Sequence, residues 1–145
     1  MAEKFRFSIR VKPRYGDEFA NSGVVDDLCY HIWARTAFFA HMNHLGVELP
    51  PNSWASPVRI EAVHHTPLLV KEEAKIYSRT TKIGRSSNTQ EAQITEADSG
   101  RLVAILTYVS VVIDGKTGRS IPNTDEWKQK VIAFEGKENV QIAQS

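Results

Sequence analysis

Hydrophobic and polar residues alternate one for one from Phe5 to Lys12 (Phe-Arg-Phe-Ser-Ile-Arg-Val-Lys), the period of a strand with one buried face. Pro13 ends that strand, and the acid- and glycine-bearing stretch from Gly16 to Gly23 reads as a structured loop. The period then changes. Leu28, Ile32, Phe39 and Met42 lie near one face of a helix, and Cys29, Trp33, Ala37 and Ala40 lie near the next. Phe38 and Leu45 widen the band. A band this broad predicts a helix buried on several sides. Asp26 or Asp27 stands where a cap is needed, and Gly46 stands where the helix should stop.

After the loop Pro50-Pro51-Asn52-Ser53, strand patterns return over Pro57 to Thr66, Glu73 to Ile83, Ser87 to Ala97 and Arg101 to Ile113. The last is nearly continuous in apolar residues, as expected for the middle of a sheet. Asp98-Ser99-Gly100 reads as a hairpin turn, and Asp114 to Gly118 as another. Pro122 to Glu126 opens a short second helix, with Asn123 and Glu126 spaced as a capping box. The pattern predicts an α+β fold in which a curved antiparallel sheet wraps a long central helix. It forms a single domain over residues 1–136, followed by a flexible polar tail over 137–145. One sheet on one helix leaves an edge strand unpaired, which predicts dimerisation by sheet continuation.

Composition narrows the function classes. The 145 residues carry 18 Lys and Arg against 17 Asp and Glu, a net charge of +1. That balance lacks the basic excess of a nucleic-acid binder. The one cysteine, Cys29, can form neither an internal disulfide nor a zinc cluster. No apolar run is long enough to span a membrane, and the N-terminus carries no signal core, so a cytoplasmic protein without a membrane partner is expected. His41 and His44 are three apart, but no acid nearby completes a ligand set, and no metal is expected. There is no phosphate-binding glycine-rich loop with lysine, no dinucleotide fingerprint and no glycine-flanked nucleophilic serine.

Candidate chemistry concentrates where the loop enters the helix. A helix start aims N–H groups at one point, and Asp17, Glu18, Asp26 and Asp27 bring carboxylates near it. Such a point can hold a carbonyl oxygen and activate water against it. Each of these acids also has a plain structural reading, as a cap or a solvated loop residue. His64 and His65 end a strand with side chains on opposite faces. Lys82, Arg85, Ser86 and Ser87 cluster between two strands as a turn suited to phosphate.

Taken in order, several pieces resemble a known family. They are Arg14-Tyr15-Gly16-Asp17, Gly23-Val24-Val25, Tyr30, Trp33, His65-Thr66-Pro67, Lys82 to Ser87, Asp98-Ser99-Gly100 and Ile121-Pro122. From Phe5 to Trp127 the chain is similar to the hotdog-fold acyl-CoA thioesterases of the 4-hydroxybenzoyl-CoA thioesterase type. The resemblance implies a homodimer or homotetramer with active sites at the dimer interface. It also implies hydrolysis of an acyl thioester carried on coenzyme A or on an acyl carrier protein. Coenzyme A enters as part of the substrate, and no other cofactor is implied. The backbone N–H of Asp27 would face the thioester carbonyl, His65 would orient a reacting group, and Lys82, Arg85, Ser86 and Ser87 would meet the coenzyme A phosphates. Family members carry an Asp three residues before the loop glycine; that position is Ala20 here. The acid role then falls to Asp17 or Glu18, or Asn21 supplies the polar group. The alternative is a catalytically silent hotdog that binds or senses acyl-CoA.

Overall fold

The computed structural model describes residues 4–143. Strand β1 (Ser8–Val11) leads through a single 3-10 turn (Tyr15–Asp17) to helix α1 (Leu28–His44). Strands β2 (Ser53–His64), β3 (Ala74–Ile83), β4 (Ser87–Glu96) and β5 (Leu102–Asp114) follow. The short strand β6 (Ser120–Ile121), helix α2 (Asp125–Glu135) and a last strand β7 (Gln141–Ile142) complete the chain. The sheet order is β1-β3-β4-β5-β2, antiparallel throughout, with β6 added to β5 and β7 added in parallel to β3. The α+β architecture expected from the pattern is present. Hairpins join β3 to β4 and β4 to β5, whereas β1 pairs with β3, and β2 lies outside β5 at the other edge.

The inner faces of β3, β4 and β5 alternate as the period-two pattern requires, placing Ala74, Ile76, Ala92, Ile94, Ala104 and Leu106 against the helix. Cys29, Tyr30, Trp33, Ala34 and Ala37 meet them at helical spacing. The helix is buried on one side only. Leu28, Ile32 and Phe39 are exposed, Leu28 at 70%, which corrects the expectation of burial on several sides. Those apolar positions lie on a flank that the sheet does not reach.

Other expectations change in physical detail. Strand β2 begins at Ser53, before Pro57, because an edge strand tolerates proline, and the ladder slips between Pro57 and Arg59. Thr124, not Asn123, caps α2 by accepting from the Trp127 N–H at 3.2 Å. The Asn123 amide instead donates to the carbonyls of Gly84 and Ser87, tying α2 to the β3–β4 turn. The segment expected to fray after Gly136 docks up to Ala143. Val140 is buried against Ile83 and Val131, and β7 pairs with Lys82 and Ile83. Its polar composition hides one apolar anchor and a row of backbone hydrogen bonds.

Candidate active site

The loop before α1 is held by short antiparallel bridges, Glu18 with Val25 and Val24 with Leu69. The Val25 N–H donates to the Leu68 carbonyl at 2.8 Å, and the Asp26 N–H to the Asp17 carbonyl at 2.7 Å. Between the bridges the chain reverses through left-handed residues, Ala20 at φ +48° and Asn21 at φ +59°, and then Gly23 at +79°. At the helix start, the Leu28 N–H donates to Asp26 Oδ1 at 3.0 Å. The N–H groups of Cys29 and Tyr30 donate to the carbonyls of Asp26 and Asp27. The Asp27 N–H has no partner among the described residues. Asp27 is thus the N-cap residue but makes no side-chain cap bond, and Asp26 Oδ1 serves the Leu28 N–H instead. Among the described residues the Asp27 N–H is left unsatisfied at the positive end of a 17-residue helix.

Asp27 lines an open cleft of about 340 Å³, together with Phe19, Val24, Val25, Asp26, Tyr30, His64, His65, Thr66 and Pro67. The far wall is the chain leaving β2. The His65 N–H donates to the Val103 carbonyl at 2.8 Å, and the Thr66 hydroxyl to the Leu102 carbonyl at 2.6 Å. Arg101 clamps this wall. Its guanidinium donates to Thr66 Oγ1, to the Pro67 carbonyl and, in two contacts of 2.9 and 3.0 Å, to Glu72. The hydrogen bonds from Arg101 outweigh partial burial and hold the Glu72 carboxyl below the usual range. Tyr30 forms the floor. Its hydroxyl accepts from the Leu68 N–H at 3.2 Å, its ring lies 5.9 Å from that of His64, and burial raises its pKa, so it stays a neutral phenol.

Of the residues singled out from the sequence, Asp27 and His65 meet in this cleft, with Asp26 and His64. Asp17, Glu18 and Asn21 do not line it. Asp17 is buried and occupied. Burial pushes its pKa up, but the Arg14 N–H at 2.8 Å and the Arg14 guanidinium at 3.3 Å more than offset this and hold the carboxyl ionised. The Glu18 carboxylate accepts no hydrogen bond among the described residues, and Asn21 is exposed at the loop tip. Lys82, Arg85, Ser86 and Ser87 sit at the β3–β4 turn, the opposite end of the sheet. β3 runs for ten residues between the two places, roughly 30 Å at the strand rise. One chain does not bring the turn and the cleft together. Tyr30 and Arg101 were not visible as site residues beforehand. Arg101 reaches partners 29 to 35 positions away, and no local spacing signals that.

No protein-family model matches the chain, and no curated protein matches it by sequence. Solved structures do match. A Thermus thermophilus thioesterase complexed with coenzyme A and Zn superposes with a TM-score of 0.79 at 25% identity, over 92% of this chain and 98% of that one. A DHNA-CoA thioesterase from Staphylococcus aureus gives a TM-score of 0.81 at 15% identity, over 95% and 98%. A 1,4-dihydroxy-2-naphthoyl-CoA thioesterase from Synechocystis gives 0.78 at 14%, over 89% and 97%. This chain has the hotdog fold of the acyl-CoA thioesterases. Within that hotdog, Ala20 is an exposed left-handed residue with no acid to offer, and the helix-start carboxylates of Asp26 and Asp27 are the acids that reach the cleft. Asp26 is engaged with Leu28, whereas the Asp27 side chain is exposed and accepts no hydrogen bond among the described residues.

Proposed function

We propose that the protein hydrolyses acyl thioesters, with coenzyme A or an acyl carrier protein as the thiol carrier. The observation that carries this reading is Asp27 at the start of α1: its N–H has no partner among the described residues, and it lines a cleft together with Asp26, His64 and His65. The thioester carbonyl oxygen accepts a hydrogen bond from that N–H, and the positive end of the helix dipole favours the negative charge that develops on the oxygen. The Asp27 carboxylate takes a proton from water as the water oxygen bonds to the carbonyl carbon. His65 orients the water or the departing sulfur. The tetrahedral intermediate then expels the thiolate, which takes up the proton, and the products are a carboxylic acid and a free thiol.

The carrier would be read by Lys82, Arg85, Ser86 and Ser87, so a complete site needs two copies. Strand β2 supports such a pairing. It is twelve residues long, bonded on one side only among the described residues, and exposed on both faces from Val58 to His64. A long open edge of this kind invites another strand. Two β2 strands pairing antiparallel about a two-fold axis bring the turn end of one sheet beside the helix-start end of the other. The exposed Leu28 and Ile32 on α1 lie on the flank that a partner would cover.

A thiol-release assay over a panel of acyl-CoAs tests the reading. Asp27→Asn keeps the backbone N–H and removes the carboxylate, and it should lower kcat by about 10²- to 10⁴-fold with a smaller change in KM. Full turnover in Asp27→Asn, together with loss in Asp17→Ala or Glu18→Ala, would move the acid into the loop. A second reading, a silent acyl-CoA binder, is favoured by Ala20 and by the engaged carboxylate of Asp17. Tight acyl-CoA binding with no thiol released across the panel would establish it instead.

A further inference from the structure

Strand β4 carries amides where a core strand normally carries aliphatics. Alternation turns Asn88, Gln90, Ala92 and Ile94 to the helix side, and Asn88 and Gln90 are only 5% and 3% exposed. Burying an amide costs free energy unless it is hydrogen-bonded. Part of that requirement is met by a relay. The Thr80 hydroxyl donates to Gln90 Oε1 at 2.9 Å, and Gln90 Nε2 donates to Asn88 Oδ1 at 3.1 Å. The relay fixes the orientation of the Asn88 amide, because its oxygen is the acceptor. Asn88 Nδ2 is left with no partner among the described residues. Directly across the ladder from Asn88 stands Ser110, 8% exposed, whose hydroxyl also has no partner among them. Paired residues on neighbouring strands present their side chains on the same face.

Asn88 borders the apolar space at the far end of α1, and Ser110 borders a small crevice beside it. A cavity of about 290 Å³ lies between the last turns of α1, the end of β5 and the start of α2. Phe38, Met42, Val112 and Trp127 shape it, and Asn88 is in its wall. A separate crevice of about 20 Å³, sharing Phe38 and Phe39 with it, is lined by Gln90 and Ser110. A space of this size sits at the small end of ligand pockets. It suits an acyl or aryl group and is too small for a nucleotide. An aliphatic occupant offers neither group a partner, whereas an oxygenated one offers a hydrogen-bonding atom to the face that carries them.

We infer that this cavity is the acyl pocket, and that Asn88 and Ser110 select acyl groups bearing a hydroxyl or keto oxygen over plain aliphatic ones. The inference rests on the thioesterase reading and names the substrate class of that reaction. Asn88 Nδ2 donates to the ligand oxygen. Ser110 accepts from a hydroxyl or donates to a ketone, so both oxygenated classes share the site. In the two-fold pairing described above, the same end of the sheet carries the turn that reads the thiol carrier.

The experiment compares kcat/KM for octanoyl-CoA with series of hydroxyoctanoyl- and ketooctanoyl-CoAs substituted at successive carbons. Thermal shifts with the corresponding free acids are measured in parallel. The wild type should prefer one oxygenated position by about 10²-fold or more, and the hydroxy and keto series separate the two sources of oxygen. Ser110→Ala removes one hydroxyl. Asn88→Asp keeps the acceptor for Gln90 but replaces the donor. Each should collapse the preference to within about tenfold, while the unliganded melting temperature reports that the fold is kept. Equal kcat/KM for plain and oxygenated octanoyl-CoAs overturns the inference and leaves the thioesterase reading intact. A preference that survives in both folded variants also overturns it. If no acyl-CoA is hydrolysed, the thioesterase reading fails. The pocket is then judged by whether oxygenated octanoic acids raise the melting temperature more than octanoic acid does in the wild type and not in Ser110→Ala.

Discussion

His41 is fully buried on α1, and neither ring nitrogen makes a hydrogen bond among the described residues. Phe7 stacks on it at 4.8 Å and Phe134 tilts against it at 4.9 Å, while the nearest carboxylate oxygen, of Glu135, stays 3.8 Å away. Burial, and to a lesser degree His44, pull its pKa down to about 4, so the ring is neutral and packs as an aromatic. A depressed histidine pKa means the unfolded chain takes up the proton first. Stability is full above the unfolded pKa near 6.5 and falls as pH drops toward 4, by about 3 kcal/mol. Burial raises the pKa of Glu135, which contributes with the opposite sign. His41→Leu should therefore flatten the decline in urea-unfolding free energy between pH 6.5 and 4. An unchanged slope would mean that another group causes the decline. Arg101 acts differently, by pinning Thr66, Pro67 and Glu72 into the cleft wall. Its side chain is about a third exposed, so screening limits its worth. Arg101→Met should cost about 1–2 kcal/mol in urea unfolding and raise KM through a loosened wall.

At the scale of elements, the sheet was legible because its signals are local. Period-two alternation marked β1, β3 and β4, an apolar run marked β5, and the Asp98-Ser99-Gly100 hairpin joined β4 to β5 at their registered ends. The helix was legible from its spacing, but its environment was not. The same apolar band serves a buried face and an exposed flank, and periodicity does not say which side a sheet will cover. The C-terminal segment shows the converse. Gln141 and Ile142 dock on β3 through backbone hydrogen bonds that no side-chain pattern encodes, and Val140 is the one anchor. Val140→Ala should lower unfolding free energy by about 2 kcal/mol, read by thermal melts. A change within error would show that the segment adds nothing to the core.

At the scale of the whole molecule, the cleft and the β3–β4 turn lie at opposite ends of one sheet. If a working site combines Asp27 of one copy with Arg85 of another, two inactive variants complement each other. Co-expressed Asp27→Ala and Arg85→Ala chains, mixing at random, should recover about a quarter of wild-type turnover, because half the dimers carry one intact site of two. Recovery at the level of either variant alone would place both residues in the same copy.

The order of residues by itself determined the strand, helix and turn inventory, the α+β class and the helix start as the place where donors and carboxylates gather. Those features arise from spacing of a few residues and from backbone groups that every helix terminus leaves open. Only the tertiary structure decided which acids reach the cleft, that Arg101 braces its wall and that β2 is left open on one side. It also decided that Asn88 and Ser110 stand side by side in the β4–β5 register beside apolar space. Each of these depends on pairings between residues distant along the chain, and their energies are set by the register and burial that the completed sheet imposes.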